Sequence, residues 1–353
     1  MDEQSGFITL VRGNTTPVAS VFVPQTVFVT PKALEYPDTP RMLEAFRRAG
    51  SVILRGSPRL QRGLTAAARY ARAKTVVVLT VDEKPFFRNC RPSADYELNL
   101  VRGCPGMCEY CYLQTAMGSS PYIRISVNVE DILEKAGEIC RQKSGAVTFE
   151  GSSVSDPVPV ERYTKAISRA ISFFAKIPNG YLRVVTKFTD VGNFFGLDHR
   201  RKTRMRYSLE AQEFHQEFER GVPSLEERLE AARTLAEDGY PIGFVIAPVF
   251  LERGLEPYER LLTMIKEAFA SGLPEDTTLE FVTHRFTERA KSLILARRPG
   301  SRLPMREDDR LFKMGRFGYG KYVYPAEKLA HAKTSMTELV ERILPGVRIE
   351  YFV

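Results

Sequence analysis

The chain has 353 residues, 43% of them hydrophobic, and a formal net charge of +8 from 51 lysines and arginines against 43 aspartates and glutamates. This ordinary globular composition fills one large domain, or one domain with an N-terminal addition, and its positive balance suits a polyanionic partner. No run of eighteen apolar residues exists, and Met1 to Gly13 lacks the basic-then-apolar order of a signal peptide, so a soluble cytoplasmic protein with reduced cysteines is expected.

Residues 1–95 mix β-type runs at Val18–Val29, Val52–Arg55 and Thr75–Val81 with helical stretches at Pro40–Ala49 and Leu60–Arg72, which predicts a small α/β extension. From Tyr96 an apolar strand and an amphipathic helix alternate. The expected strands are Tyr96–Arg102, Ala146–Gly151, Leu182–Lys187, Arg204–Leu209, Pro241–Pro248 and Thr278–Thr283. The expected helices are Glu130–Gln142, Pro159–Phe174, Ser224–Asp238, Glu256–Ser271 and Thr287–Ala296. Such alternation demands parallel pairing through right-handed crossovers, so residues 96–300 should form a partial (β/α)6 barrel of the TIM type. Residues 301–353 should supply a hairpin, where glycines alternate with aromatic and basic residues from Lys313 to Tyr324, then a helix Ala326–Leu344 and a strand Arg348–Val353.

Chemistry in such barrels sits at the C-terminal ends of the strands. That rule nominates the segment after strand one, Ser152 to Asp156, Lys187, Ser208, and Ala247 with Pro248. The segment after strand one is Cys104-Pro-Gly-Met-Cys108-Glu-Tyr110-Cys111-Tyr112, which holds three of the chain's five cysteines. Thiolates are soft ligands, and a tight loop containing Gly106 can wrap three sulfurs around one centre. A [4Fe-4S] cube takes four ligands, so three cysteines leave one iron open. A structural zinc ion would need a distant fourth ligand from His199, His215, His284 or His331.

The loop resembles the cluster loop of the radical S-adenosylmethionine (SAM) enzymes, with the aromatic Tyr110 before the last cysteine. That resemblance implies a partial barrel in which the open iron chelates SAM and one electron cleaves it to a 5′-deoxyadenosyl radical. Further stretches resemble one family, the spore photoproduct lyases. They include Ala33-Leu-Glu-Tyr-Pro37, Arg91-Pro-Ser-Ala-Asp-Tyr96, Pro121-Tyr-Ile-Arg124, Ser155-Asp-Pro157, Val185-Thr-Lys187, His284-Arg-Phe286, Gly320-Lys-Tyr-Val-Tyr324 and Tyr351-Phe352, and they run almost the whole chain. Members of that family reverse 5-thyminyl-5,6-dihydrothymine, a thymine dimer of spore DNA. The radical takes hydrogen from C6, the methylene bridge breaks, and a cysteine assisted by two tyrosines returns a hydrogen.

Carried over by residue, the resemblance implies that Cys104, Cys108 and Cys111 ligate the cluster and that Tyr110 and Tyr112 relay hydrogen. Tyr112, Ser155, Lys187, Ser208 and Ala247 would surround SAM, with Asp156 shaping the pocket. Arg316, Phe317 and Lys321 of the hairpin would contact double-stranded DNA around the lesion, which must be flipped out to be reached. Flavodoxin or ferredoxin would supply the electron, and a monomer suffices. Taken singly, Tyr112 also suits a core, Lys187 a solvated strand end, Ser208 a turn and the hairpin ordinary packing.

The sequence departs from the family at the donor cysteine, where Ser153 stands, and serine's strong O–H bond cannot yield a hydrogen atom to an allylic radical. Phe317 replaces a frequent tyrosine. Cys140 ends the helix feeding strand two, at the far barrel face, while Cys90 lies upstream of strand one and stays open. Tyr110 or Tyr112 is the better direct donor. The basic runs His199-Arg-Arg-Lys202 with Arg204 and Arg206, and Arg297-Arg298 with Arg302, suit either phosphate contact or solvated surface. The expected function is reversal of the spore photoproduct by a rerouted hydrogen return. The alternatives are a radical SAM paralogue for another lesion or modified nucleotide, or a non-catalytic iron-sulfur DNA-binding protein.

Overall fold

The computed structural model describes residues 21–58, 63–118, 121–314, 318 and 320–353. The N-terminal part contains β1 (Thr26–Val29), α1 (Thr39–Arg48), β2 (Val52–Arg55), α2 (Ala66–Ala73) and β3 (Val76–Thr80). Short strands β4 (Asn89–Cys90), β5 (Ala94–Glu97) and β6 (Val101–Arg102) lead through α3 (Leu113–Ala116) to β7 (Ile123–Ser126). Next come α4 (Val129–Arg141), β8 (Val147–Glu150), α5 (Val158–Thr164), α6 (Ala166–Lys176), β9 (Gly180–Thr186), β10 (Thr203–Leu209), α7 (Gln212–Phe218) and α8 (Leu225–Glu237). β11 (Ile242–Val249), α9 (Glu256–Ala268), β12 (Thr278–Thr283), α10 (Glu288–Arg297), a hairpin of β13 (Leu311–Met314) and β14 (Gly320–Val323), α11 (Ala326–Ile343) and β15 (Arg348–Phe352) follow.

The barrel is the curled sheet β15-β12-β11-β10-β9-β8-β5-β4, parallel throughout except for the β4–β5 pair. A second sheet, β2-β1-β3-β7-β6, lies beside it. Both are buried on their inner faces by apolar strands and helices, with Phe149, Leu182, Met205, Phe244 and Phe281 in one core and Val27, Val77, Ile123 and Ile125 in the other. The expected α/β alternation is present. The strand of the closing segment pairs with β12, so the C-terminal residues are part of the barrel sheet.

Three local expectations are corrected. Tyr96–Arg102 is not one strand: β5 belongs to the barrel and β6 to the second sheet. Leu98 and Leu100 between them are fully buried, the Leu98 N–H donates to Glu150 O at 2.8 Å, and the Ser126 N–H donates to Leu100 O at 3.0 Å, so the chain steps from one sheet to the other there. Pro159–Phe174 is two helices, broken at Lys165, whose φ of 57° is left-handed. The buried Glu161 carboxylate accepts the Ile167 and Ser168 N–H groups at 2.9 Å, capping the free amides that open α6. β7 and α7 were not anticipated, since four and seven residues are too few for a period to show.

Below the strand ends the barrel interior is charged. Arg206, 1% exposed, is bonded to Glu150 and, at 2.8 Å, to Glu280. Arg183 joins Glu280 and, at 2.5 Å, Glu350, while the Tyr351 hydroxyl also donates to Glu280. Burial works to raise the Glu280 pKa, but the two guanidiniums outweigh it and hold that carboxyl below its usual range. Removing one member strands the others, and breaking a buried ion pair costs about 3–5 kcal/mol. Arg206→Met is therefore expected to lose about that much stability, read as a lower urea midpoint at unchanged slope.

Candidate active site

The cysteine loop leaves the second sheet at β6, and its flanks are bonded to the barrel. Gly103 has φ +97°, and a Cβ there would stand 3.1 Å from Tyr122 O, so only glycine turns the chain here. Its N–H donates to Val154 O at 2.9 Å, and its carbonyl accepts from Asp156 N at 3.1 Å. Farther along, the Glu109 N–H donates to Phe218 O at 2.9 Å, and Lys74 Nζ donates to Cys104 O at 2.7 Å. Gly106 fills the tightest point: its N–H lies 3.2 Å from Cys104 Sγ, and an added Cβ would meet Val222 at 2.9 Å.

All three cysteines line one cavity of about 420 Å³ at the C-terminal ends of the barrel strands. Burial pushes the Cys108 thiol up to about 12 and that of Cys104 well above its ordinary value, so a metal bound by these sulfurs would have to displace their protons. Among the described residues no three His, Cys, Asp or Glu side chains converge on a single ion. A cube needs no such convergence, because it takes one thiolate at each of three separate irons, so the donor set fits a [4Fe-4S] cluster better than a closed zinc site.

Ser155, Lys187, Ser208 and Ala247 line the same cavity. Ser155 Oγ is buried without a hydrogen-bond partner, an orphaned polar atom in the wall where a polar ligand is expected to bind. Asp156 is spent on the scaffold. Its carboxylate accepts from Thr186 Oγ1 at 2.8 Å, from Lys187 N at 2.9 Å and from Val158 N at 3.3 Å, fastening the loop after β8 to the end of β9. Burial raises its pKa to about 6 against those donors, which leaves it ionised at neutral pH.

Glu219 escaped the sequence reading. Its carboxylate, fully buried, accepts from Tyr110 Oη, from Lys187 Nζ at 2.5 Å and from Arg228 Nη2 at 2.5 Å, and lies 3.0 Å from His215 Nδ1. Burial opposes the charge, yet Lys187 and Arg228 hold the carboxyl well below its ordinary range. Arg228, itself inaccessible, also donates to Ser208 O at 3.0 Å. A glutamate in the connection between α7 and α8 gives no signal for such a role. His284 belongs to one of the family-like stretches, but the sequence assigns it no role beyond that of a possible zinc ligand. It lines the cavity, where burial and the neighbouring Arg310 push its pKa down to about 3 and keep it neutral.

A family model described as spore photoproduct lyase matches residues 22–353. The chain belongs to the spore photoproduct lyase family. It is 37% identical to the spore photoproduct lyase of Bacillus subtilis (strain 168) over 94% of this chain and 98% of the relative. It is also 37% identical to that of Clostridium acetobutylicum, over 91% and 96%. A solved spore photoproduct lyase complexed with dinucleoside spore photoproduct superposes with a TM-score of 0.91 at 35% identity, covering 95% of this chain and all of the other. A mutant lyase with bound AdoMet and the same dinucleoside matches with a TM-score of 0.91 at 37% identity, covering 95% of this chain and all of that one.

The remaining residues that the family resemblance nominated are spread around the cavity. Ser153 is half-buried, with Oγ 3.3 Å from Asn99 Oδ1, and is not among the residues lining the cavity. Tyr110 and Tyr112 both line the cavity; Tyr112 is 58% exposed, whereas the Tyr110 hydroxyl donates to Glu219. Cys140 is buried beside Gly180 at the start of β9, the end of the barrel away from the cavity. Cys90 lies on β4, and the Tyr112 hydroxyl is within electrostatic reach of both Cys111 and Cys90. In the hairpin, Lys321 stands opposite Lys313, and Tyr322 exchanges backbone hydrogen bonds with Phe286, next to cavity residues His284 and Arg285. Arg316 and Phe317 lie outside the described residues. Arg206, buried and doubly paired, is no phosphate contact, and Arg204 donates to the carbonyls of Ile242 and Asp276 at the opposite barrel end.

Asp156→Asn tests the fastening of the cavity wall. Either orientation of the amide points an N–H₂ at a donor, so a loss of about 1–3 kcal/mol in urea unfolding is expected. Weaker SAM binding by equilibrium dialysis should accompany it.

Proposed function

We propose that this chain reverses the spore photoproduct to two thymines as a radical SAM lyase, returning hydrogen through Tyr112 and Cys90 instead of through a thiol at position 153. The observation that carries the reading is the convergence of three cluster-type cysteines, an orphaned Ser155 hydroxyl and Lys187 on one strand-end cavity. It is joined by a fold shared almost end to end with lyases solved with the lesion dinucleoside.

When bound, a [4Fe-4S] cluster held by Cys104, Cys108 and Cys111, together with SAM, supplies a 5′-deoxyadenosyl radical that removes hydrogen from C6 of the lesion. Ser155, Lys187 and Ser208 orient SAM at the cavity wall, and Glu219 fixes the Lys187 ammonium and the Tyr110 ring beneath it. Once the methylene bridge has broken, Cys90 gives its hydrogen atom to the thymine radical, and the sulfur takes one from the Tyr112 hydroxyl. The hydrogen first removed from the lesion refills the tyrosine, so none is consumed. Two features support this route. Burial, with Glu150 and Glu97 nearby, raises the Cys90 pKa to about 12, keeping it a thiol with a hydrogen atom to give, and Tyr112 is close enough to feel the charge of both Cys111 and Cys90.

Lesion-bearing duplex DNA is the proposed substrate, flipped into the cavity with Lys313 and Lys321 of the hairpin meeting phosphate. An external one-electron donor primes the reaction, and the protein acts as a cytoplasmic monomer.

The deciding assay is anaerobic, with reductant, SAM and an oligonucleotide carrying the lesion, following thymine repair and 5′-deoxyadenosine together by mass spectrometry. The wild type should repair cleanly. Cys90→Ala and Tyr112→Phe should each lower clean repair roughly tenfold or more while 5′-deoxyadenosine still forms, and adding Ser153→Cys to Cys90→Ala should restore it. Full repair by Cys90→Ala would refute the route, and radical formation without any effect on the lesion would refute the substrate.

A further inference from the structure

The cysteine loop has a second face. Away from the cavity, Met107, Cys108 and Glu109 floor a cleft of about 230 Å³ between α2 and α10, walled by Tyr70, Ile294 and Arg298. Cys108 lines both the cleft and the cavity, so one sulfur lies between the barrel interior and the outer surface. The cleft's rim is arginine-rich. Arg298 and Arg220 share the Glu109 carboxylate at 3.4 and 3.8 Å, with Ser301 Oγ donating to its other oxygen at 2.8 Å. Arg297 lies over the Tyr70 ring at 4.1 Å and donates to Gln114 Oε1 at 2.9 Å, locking α10 onto α3 and α2. Arg220 is 60% exposed, and Arg302, next to Ser301, is 77% exposed and pairs with Glu217 at 2.8 Å.

We propose that this cleft is the docking surface of the electron donor, a small acidic one-electron carrier protein. The inference rests on the radical SAM reading. With SAM and an extruded nucleotide in the cavity, a carrier protein has no approach to the cluster from that side. The cleft offers the other approach, since among the described residues Cys108 lines both the cleft and the cavity. Its arginines outnumber its carboxylates, which recruits an acidic carrier by long-range attraction and suits a brief, exchangeable complex. Arg297, Arg298 and Arg302 are the run that also suits phosphate contact. Their position behind the loop, away from the cavity that takes the lesion, favours the carrier over DNA.

The experiment uses the reconstituted full-length enzyme and reduced flavodoxin as the acidic probe. Stopped-flow spectroscopy would follow cluster reduction by flavodoxin and by dithionite, and calorimetry would measure flavodoxin binding. Arg220→Glu with Arg302→Glu is expected to slow flavodoxin-driven reduction and weaken flavodoxin binding by roughly tenfold or more, with dithionite reduction and lesion-duplex binding unchanged. The wild-type flavodoxin rate should fall as salt rises. Equal flavodoxin rates in wild type and variant, a salt-independent rate, or a variant that loses DNA binding while keeping its flavodoxin rate would each overturn the proposal. Dithionite-driven repair reports separately on the lyase reading, and its absence in the wild type would leave the binding and reduction measurements to decide the surface.

Discussion

The site depends on one buried carboxylate. Glu219 gathers a lysine, an arginine, a tyrosine and a histidine from four different segments of the chain, and three of these partners have a second role. Lys187 faces the cavity, Tyr110 precedes the last cysteine, and Arg228 holds the carbonyl of Ser208. Charges this deep are tolerated only when every member is paired, which makes the arrangement all-or-none: the loop, the end of β9 and the end of β10 are set relative to one another together.

How much of this could be read from the sequence follows from how local each signal is. The cysteine spacing lies within eight residues and needs no tertiary information. Lys187, Ser208 and Ala247 were found because strand periodicity locates strand ends, and strand ends locate the chemistry. Glu219 and Arg228 were invisible because nine residues and a helix start separate them, and nothing about either says that it is buried. The step at Leu98–Leu100 was missed for a related reason. Two buried leucines with alternating neighbours read as one strand, and only the partner of each backbone amide reveals that two sheets share the segment.

The two tyrosines beside Cys111 are adjacent in pattern and opposite in circumstance. Sequence alone gave them equal standing as hydrogen carriers. Both line the cavity, but packing separates them, since Tyr110 donates into a carboxylate and sits edge-on to Phe250 at 6.2 Å, while Tyr112 is largely exposed. A hydroxyl committed to a buried anion is poorly placed to surrender a hydrogen atom to a radical.

The cysteine loop is an excursion of the second sheet, leaving at β6 and returning at β7, although its sulfurs serve the barrel. A shortened enzyme built from the barrel alone, cut just before β4, would lose β1, β2 and β3 and leave β6 and β7 as an unsupported edge holding the cysteine segment. The catalytic unit therefore cannot be minimised to its barrel, and grafting the loop onto another barrel would require transplanting the neighbouring sheet with it.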